Sequence, residues 1–202
     1  MLSSSDETSE FIKAQLNDWE ARQYSEQSPQ FVKEFLLVKH GFSDGAWIET
    51  GTFLGMTTAF LSERFSKVYT VEPGPKLYAD AAKKFDGTNV EVINGLSEEV
   101  FPTLLPQLSG TVNFWLDGHY SEGVTFQGPQ DCPVRDELAE IAKNLGNFDR
   151  LAVLIDDVRC FLPENDEYPT YPTVDWLLDW GRANGFNWRI EHDILIMKRS
   201  TT

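Results

Sequence analysis

The chain has 202 residues, a formal net charge of −15 and 41% hydrophobic residues. That length and apolar content fit one well-cored domain better than two. Lys and Arg are scattered singly or in pairs, which argues against nucleic acid or an anionic membrane as partner, because both demand basic patches.

Residues 1–10 are polar and acidic, so no secretory leader is expected there. No apolar run approaches the roughly 18–20 residues that cross a bilayer. Cys132 and Cys160 form no C-x-x-C pair. Neither a disulfide scaffold nor a zinc site is expected, and a reducing, cytoplasmic compartment fits.

Phe11, Leu16 and Trp19 carry weak helical periodicity over residues 11–25. A second helix is expected to open at Ser28-Pro29, with Ser28 as N-cap and Pro29 at the first helical position. Its inward face is read as Phe31, Phe35 and Val38, and Gly41 ends it. Residues 1–45 are therefore a helical extension, serving as a cap over the site or as a homodimer contact. From residue 46 to 202 strands and helices alternate. Strands are read at Ala46–Glu49, Lys67–Val71, Val90–Ile93, Val112–Leu116 and Leu151–Ile155, with two closing strands at Trp188–Glu191 and Ile194–Lys198. Helices are read at Met56–Phe65, Pro75–Phe85, Glu98–Leu105, Val134–Leu145 and Thr173–Asn184. Repeated β-α units with short apolar strands predict an α/β fold. It is a Rossmann-like, doubly wound, mainly parallel seven-stranded sheet with an antiparallel last strand and N-terminal helices.

In such sheets ligands bind beyond the carboxyl ends of the strands. Glu49, Thr50, Gly51, Thr52, Phe53, Leu54 and Gly55 read as a strand end, a tight turn and a helix start. Gly51 and Gly55 let the backbone approach a ligand. Glu72 ends the next strand and can take both hydroxyls of a ribose. Glu49 would repel a pyrophosphate, and Phe53 stands where a dinucleotide turn has its middle glycine. An acid there suits a ligand with an ammonium group, which points to S-adenosylmethionine rather than a dinucleotide. Asp117 follows the fourth strand, and Asp156 and Asp157 follow the fifth. Two unit charges about 4 Å apart repel by roughly 4 kcal/mol at an effective dielectric near 20. Such a trio needs protonation, a cationic side chain or a metal. Hard oxygen ligands suit Mg²⁺, which would acidify an acceptor hydroxyl. His119 stands two residues past Asp117 and is a candidate general base. Residues 116–133 and 158–172 are long loops expected to shape an acceptor pocket, with Arg159, Tyr168 and Tyr171 as contacts.

The turn resembles motif I of the class I S-adenosylmethionine-dependent methyltransferases. Glu49-x-Gly51-x-x-x-Gly55, Glu72, Gly95-x-Ser97, Asp117 and Asp156-Asp157 also occur in the order seen in metal-dependent O-methyltransferases, of the macrocin/mycinamicin sugar and catechol kinds. The resemblance covers roughly residues 45–160, and the loop at 116–133 departs from it. It implies that Glu49, Gly51, Thr52 and Gly55 hold the amino-acid end of the cofactor and Glu72 the ribose. It further implies that Gly95, Leu96 and Ser97 border the adenine. Asp117 would touch both cofactor and reaction, with Asp117, Asp156 and Asp157 ligating Mg²⁺. The expected activity is methyl transfer to a small hydroxylated or sugar-like acceptor. The rivals are a metal-free N- or O-methyltransferase, in which Asp117 or His119 acts alone, and a dinucleotide-dependent oxidoreductase on the same fold.

Overall fold

A computed structural model of the chain describes residues 4–25, 27–118, 131–163 and 167–201. Two helices, α1 (Ser4–Ala21) and α2 (Gln30–His40), precede the alternating part. Then come β1 (Ala46–Thr50), α3 (Met56–Ser62), β2 (Val68–Glu72), α4 (Pro75–Lys84), β3 (Val90–Asn94) and α5 (Ser97–Leu104). The second half holds β4 (Gly110–Leu116), α6 (Val134–Lys143), β5 (Phe148–Ile155), α7 (Val174–Ala183), β6 (Asn187–Glu191) and β7 (Ile194–Ser200). The seven strands run in the order β3-β2-β1-β4-β5-β7-β6. The first five are parallel, and β7 lies antiparallel between β5 and β6. Strand order reverses between β1 and β4, which opens a crevice at their carboxyl ends.

The period-2 alternation of the strands divides the core into two layers. Phe114, Leu116, Leu151, Val153, Ile155, Leu195 and Met197 face α5, α6 and α7. Trp47, Trp115, Ala152, Leu154, Ile194 and Ile196 face the other way, against α2 and α3. Both faces of the central strands are covered, which is why these strands read as continuous apolar runs.

The sequence reading of α2 needs correction. Its buried stripe is Val32, Leu36, Leu37 and His40, while Phe35 and Val38 are exposed. Three bulky apolar residues spaced four and three apart mimicked a buried face, but the neighbouring stripe of four residues fits the sheet. Each of Leu36 and Leu37, fully buried, contributes roughly 1.5–3 kcal/mol. Ser28 does not cap the helix. Pro29 holds that position, and the Ser28 hydroxyl donates instead to the carbonyl of His192. The helix read to Phe65 ends at Ser62, and β5 begins three residues earlier than expected, at Phe148.

Candidate active site

Backbone ladders deliver the site. Gly51 N–H donates to the Val71 carbonyl at 3.0 Å, Asp117 N–H to Thr50 at 3.2 Å and Asp156 N–H to Leu116 at 3.1 Å. The ends of β2, β1, β4 and β5 thus lie side by side, and each carries an acid. Gly51 has φ +85°, and a Cβ on it would sit 2.5 Å from the Asp117 carbonyl oxygen. Only glycine lets the turn after β1 lie this close to the end of β4. Gly55 also has positive φ, at the N-cap of α3. Thr50 Oγ1 is buried in this crevice without a hydrogen-bond partner among the described residues.

Glu49 lies near the carboxyl end of the central strand β1, only 1% exposed. The parallel register sets Thr70 opposite it, and the hydroxyls of Thr58 and Thr70 both donate to Glu49 Oε2, at 2.5 and 2.6 Å. Burial pushes the Glu49 carboxyl up to about 7, against the pull of those two hydroxyls. Thr52 Oγ1 lies 2.6 Å from Thr70 Oγ1, so it braces the same network. Glu72 is held differently. Its Oε2 accepts the Phe53 N–H at 2.9 Å and its Oε1 the Gly74 N–H at 2.8 Å. Burial raises Glu72, and the two backbone donors oppose the rise. Each carboxylate oxygen keeps a second acceptor direction, which suits a pair of ribose hydroxyls. Gly95 and Leu96 lead into α5, and Ser97 is its first residue. The Asn94 side chain ties this corner to the Glu72 carbonyl at 2.8 Å.

The carboxylates of Asp117, Asp156 and Asp157 do come together, with oxygens within 4.8 Å of one another. Two cations already attend them. Lys33 of α2 forms an ion pair with Asp156. Burial pulls the Lys33 ammonium down, but Asp156, Asp117 and Asp157 together hold it above its ordinary range. Asp157 adopts the left-handed conformation, φ +57°, and accepts a 2.7 Å hydrogen bond from Arg159. Arg159 also pairs with Asp193 and donates its backbone N–H to Asp193 Oδ1 at 2.8 Å. His192 and Asp193, both with positive φ, form the tight β6–β7 turn that swings Asp193 to this place. The trio is therefore not the bare hard-oxygen cage that a divalent ion needs. Two of its three members spend acceptor capacity on side-chain cations, so an ion at this trio would have to share those carboxylates with Lys33 and Arg159.

The other predicted residues fall as follows. His119 lies outside the described residues, as does most of the loop that holds it. Arg159 is engaged with Asp157 and Asp193. It borders a cavity of about 330 Å³ lined also by Tyr24, Val158, Leu162, Ile190 and His192. Tyr171 is buried in the core, its ring tilted against those of Phe161 and Tyr168 at centroid distances of 5.4 and 4.9 Å. Tyr168 is partly buried on the same cluster. The packing gives both tyrosines a core contact besides any role toward a ligand.

Sequence reasoning missed Lys33, Thr58, Thr70 and Asp193. Lys33 had a legible signal: it lies three and four residues before Leu36 and Leu37, on the buried stripe. Asp193 had one as well, a His-Asp pair between two strand-like runs. The exposed trio Phe53, Leu54 and Met56, around the glycine turn, also went unassigned. All three are exposed beside the turn that joins β1 to α3.

No protein-family model and no curated protein matches the chain. Solved structures do. A Streptococcus mutans protein, assigned as a methyltransferase and solved with SAH, superposes with a TM-score of 0.54 at 16% identity, over 86% of this chain and 99% of that one. A TehB-like SAM-dependent methyltransferase from Corynebacterium glutamicum gives 0.54 at 12% identity, over 98% and 100%. An rRNA methylase from Streptococcus thermophilus gives 0.51 at 15% identity, over 88% and 99%. At such identities the likeness speaks for the fold, and the chain has the Rossmann-like fold of the S-adenosylmethionine-dependent methyltransferases.

Proposed function

We propose that this chain is an S-adenosylmethionine-dependent methyltransferase that acts on an oxygen or nitrogen of a small acceptor. One observation carries the reading. Two buried carboxylates, Glu49 and Glu72, flank a glycine turn at the point where strand order reverses, and both are held by neutral donors. Their charge is left to meet a cationic, ribose-bearing ligand, and the same charge repels a pyrophosphate. This speaks against a dinucleotide oxidoreductase.

When bound, the cofactor supplies an electrophilic methyl group on a sulfonium sulfur. Glu72 orients the ribose through its hydroxyls. The Glu49 carboxyl lies beneath the turn and favours the ammonium end. Phe53, Leu54 and Met56 keep water from the mouth of the crevice. Asp117 stands beside Gly51 and orients the acceptor, taking the proton its oxygen or nitrogen gives up. Alignment of donor and acceptor supplies most of the rate. The expected metal-assisted O-methylation gives way here to its metal-free relative, because Lys33 and Arg159 hold the carboxylates a metal would use. The acceptor side is supported as small and uncharged or cationic by the net charge of −15, although some solved structures of this fold are rRNA methylases.

Melting curves with SAH, with NAD and with a structured RNA test the reading. A ligand at about 100 times its Kd adds roughly 2.7 kcal/mol, or about 5–10 °C for a chain of this length. The expected result is a shift with SAH and none with NAD. A shift with NAD alone overturns the proposal. A shift with RNA at physiological salt, beside one with SAH, moves the acceptor to the nucleic-acid class.

A further inference from the structure

The aspartate trio at the ends of β4 and β5 draws a cation from an unexpected quarter, the N-terminal helix pair. Lys33 rises from the buried stripe of α2, between Val32 and the fully buried Leu36 and Leu37. Its side chain is 16% exposed and its ammonium pairs with Asp156, which is itself only 1% exposed. The same ammonium lies in the field of Asp117 and Asp157, with the Trp115 ring 6.0 Å away. A compact point charge thus sits on one of three carboxylates whose oxygens lie within 4.8 Å of one another, and it answers part of the repulsion that a divalent ion would otherwise answer. Arg159 brings a second cation to the trio, fixed by Asp157 and Asp193.

We propose that Lys33 is the resident cation of this cluster, a positioning residue that takes the place of a metal and makes the site indifferent to divalent ions. The helix supplies it from outside the β-α core, so α2 is part of the site rather than a separate cap. Its covalent tether explains why it can win. A divalent ion must shed water and displace an ammonium whose partner is already buried, whereas the lysine is held at the cluster by the packing of Leu36 and Leu37. Lys33 lies on Asp156 and Arg159 on Asp157, and Asp117 is the half-buried member of the trio, its backbone carbonyl beside Gly51. The inference concerns metal binding alone and stands apart from the cofactor reading, which SAH binding tests separately.

Mn²⁺ titration of the full chain, followed by the spectrum of free Mn²⁺, decides the matter. Wild type is expected to bind no ion below about 1 mM, a weak-site ceiling for oxygen ligands. Lys33→Met keeps the length of the side chain and removes its charge. It is expected to gain one Mn²⁺ per chain at least tenfold more tightly, and Lys33→Met with Asp156→Asn is expected to lose it again. Lys33→Arg keeps the charge and is expected to stay metal-free. One Mn²⁺ bound by wild type at micromolar concentration, and lost in Asp156→Asn, overturns the proposal, as does a folded Lys33→Met that gains nothing. Should Lys33→Met fail to fold, the wild-type titration decides by itself: one ion per chain below about 1 mM overturns the proposal, and none supports it.

Discussion

The crevice has two halves that handle buried carboxylates in opposite ways. At the ends of β1 and β2, Glu49 and Glu72 are satisfied by threonine hydroxyls and backbone N–H groups. At the ends of β4 and β5, Asp156 and Asp157 are satisfied by Lys33 and Arg159. Neutral donors stabilise a carboxylate without cancelling its charge, so the first half keeps a field for a cationic ligand. Fixed cations offset part of the charge, Lys33 on Asp156 and Arg159 shared between Asp157 and Asp193, so the second half carries its counter-ions within the fold. The same group, a carboxylate, is held by neutral donors on one side and by side-chain cations on the other.

That contrast can be broken at four points. The largest effect is expected from Lys33→Met. Removing one partner of a buried ion pair typically costs about 3–5 kcal/mol, and urea denaturation should show a loss of that order. A loss below about 1 kcal/mol would mean that the pair behaves as a surface bridge. Gly51→Ala comes next. Its Cβ would strike the Asp117 carbonyl at 2.5 Å in a left-handed backbone, so roughly 2–3 kcal/mol of stability and detectable SAH binding should both go. Unchanged SAH binding would show that the turn can relax.

Glu49→Gln probes the charge without the shape. In the folded chain the Glu49 carboxyl titrates near 7, above its ordinary 4.5. The folded state therefore holds this proton to higher pH than the unfolded chain does. Stability from this group is full below about pH 4.5 and is lost as pH rises through about 7. Glu49→Gln should flatten that decline, leaving the cofactor-free variant on the order of 1–3 kcal/mol more stable than wild type at pH 8, yet poorer at binding SAH. Parallel pH–stability curves would remove Glu49 as the buried titrating group. The smallest effect is expected from Phe35→Ser, at a side chain 60% exposed. Its melting point should move by no more than about 0.5 kcal/mol equivalent, whereas Leu36→Ala should cost about 2–5 kcal/mol.

The fold was legible because its signals were local. Alternating apolar strands and helix-period stripes state the β-α order, and the parallel pairing follows from it. The acids were legible too, since each follows directly on a strand end. The partners of those acids were not. Thr58 and Thr70 reach Glu49 only through helix packing and strand register. Lys33 meets Asp156 across 123 positions of sequence. The misjudged face of α2 compounded this: with Phe31, Phe35 and Val38 taken as the buried side, Lys33 turned toward solvent on paper. Three acids in a row of strand ends say that a cation is needed, and only the tertiary structure says which one.

Calorimetric titration of SAH into wild type and Glu72→Gln asks whether the neutral-donor half binds S-adenosylmethionine through Glu72. A hydrogen bond to a charged group is worth about 1.5–3 kcal/mol, so one site per chain is expected in wild type and binding roughly 10–100-fold weaker in the variant. Equal affinity in both proteins, or no binding heat in wild type at several temperatures, would contradict that expectation.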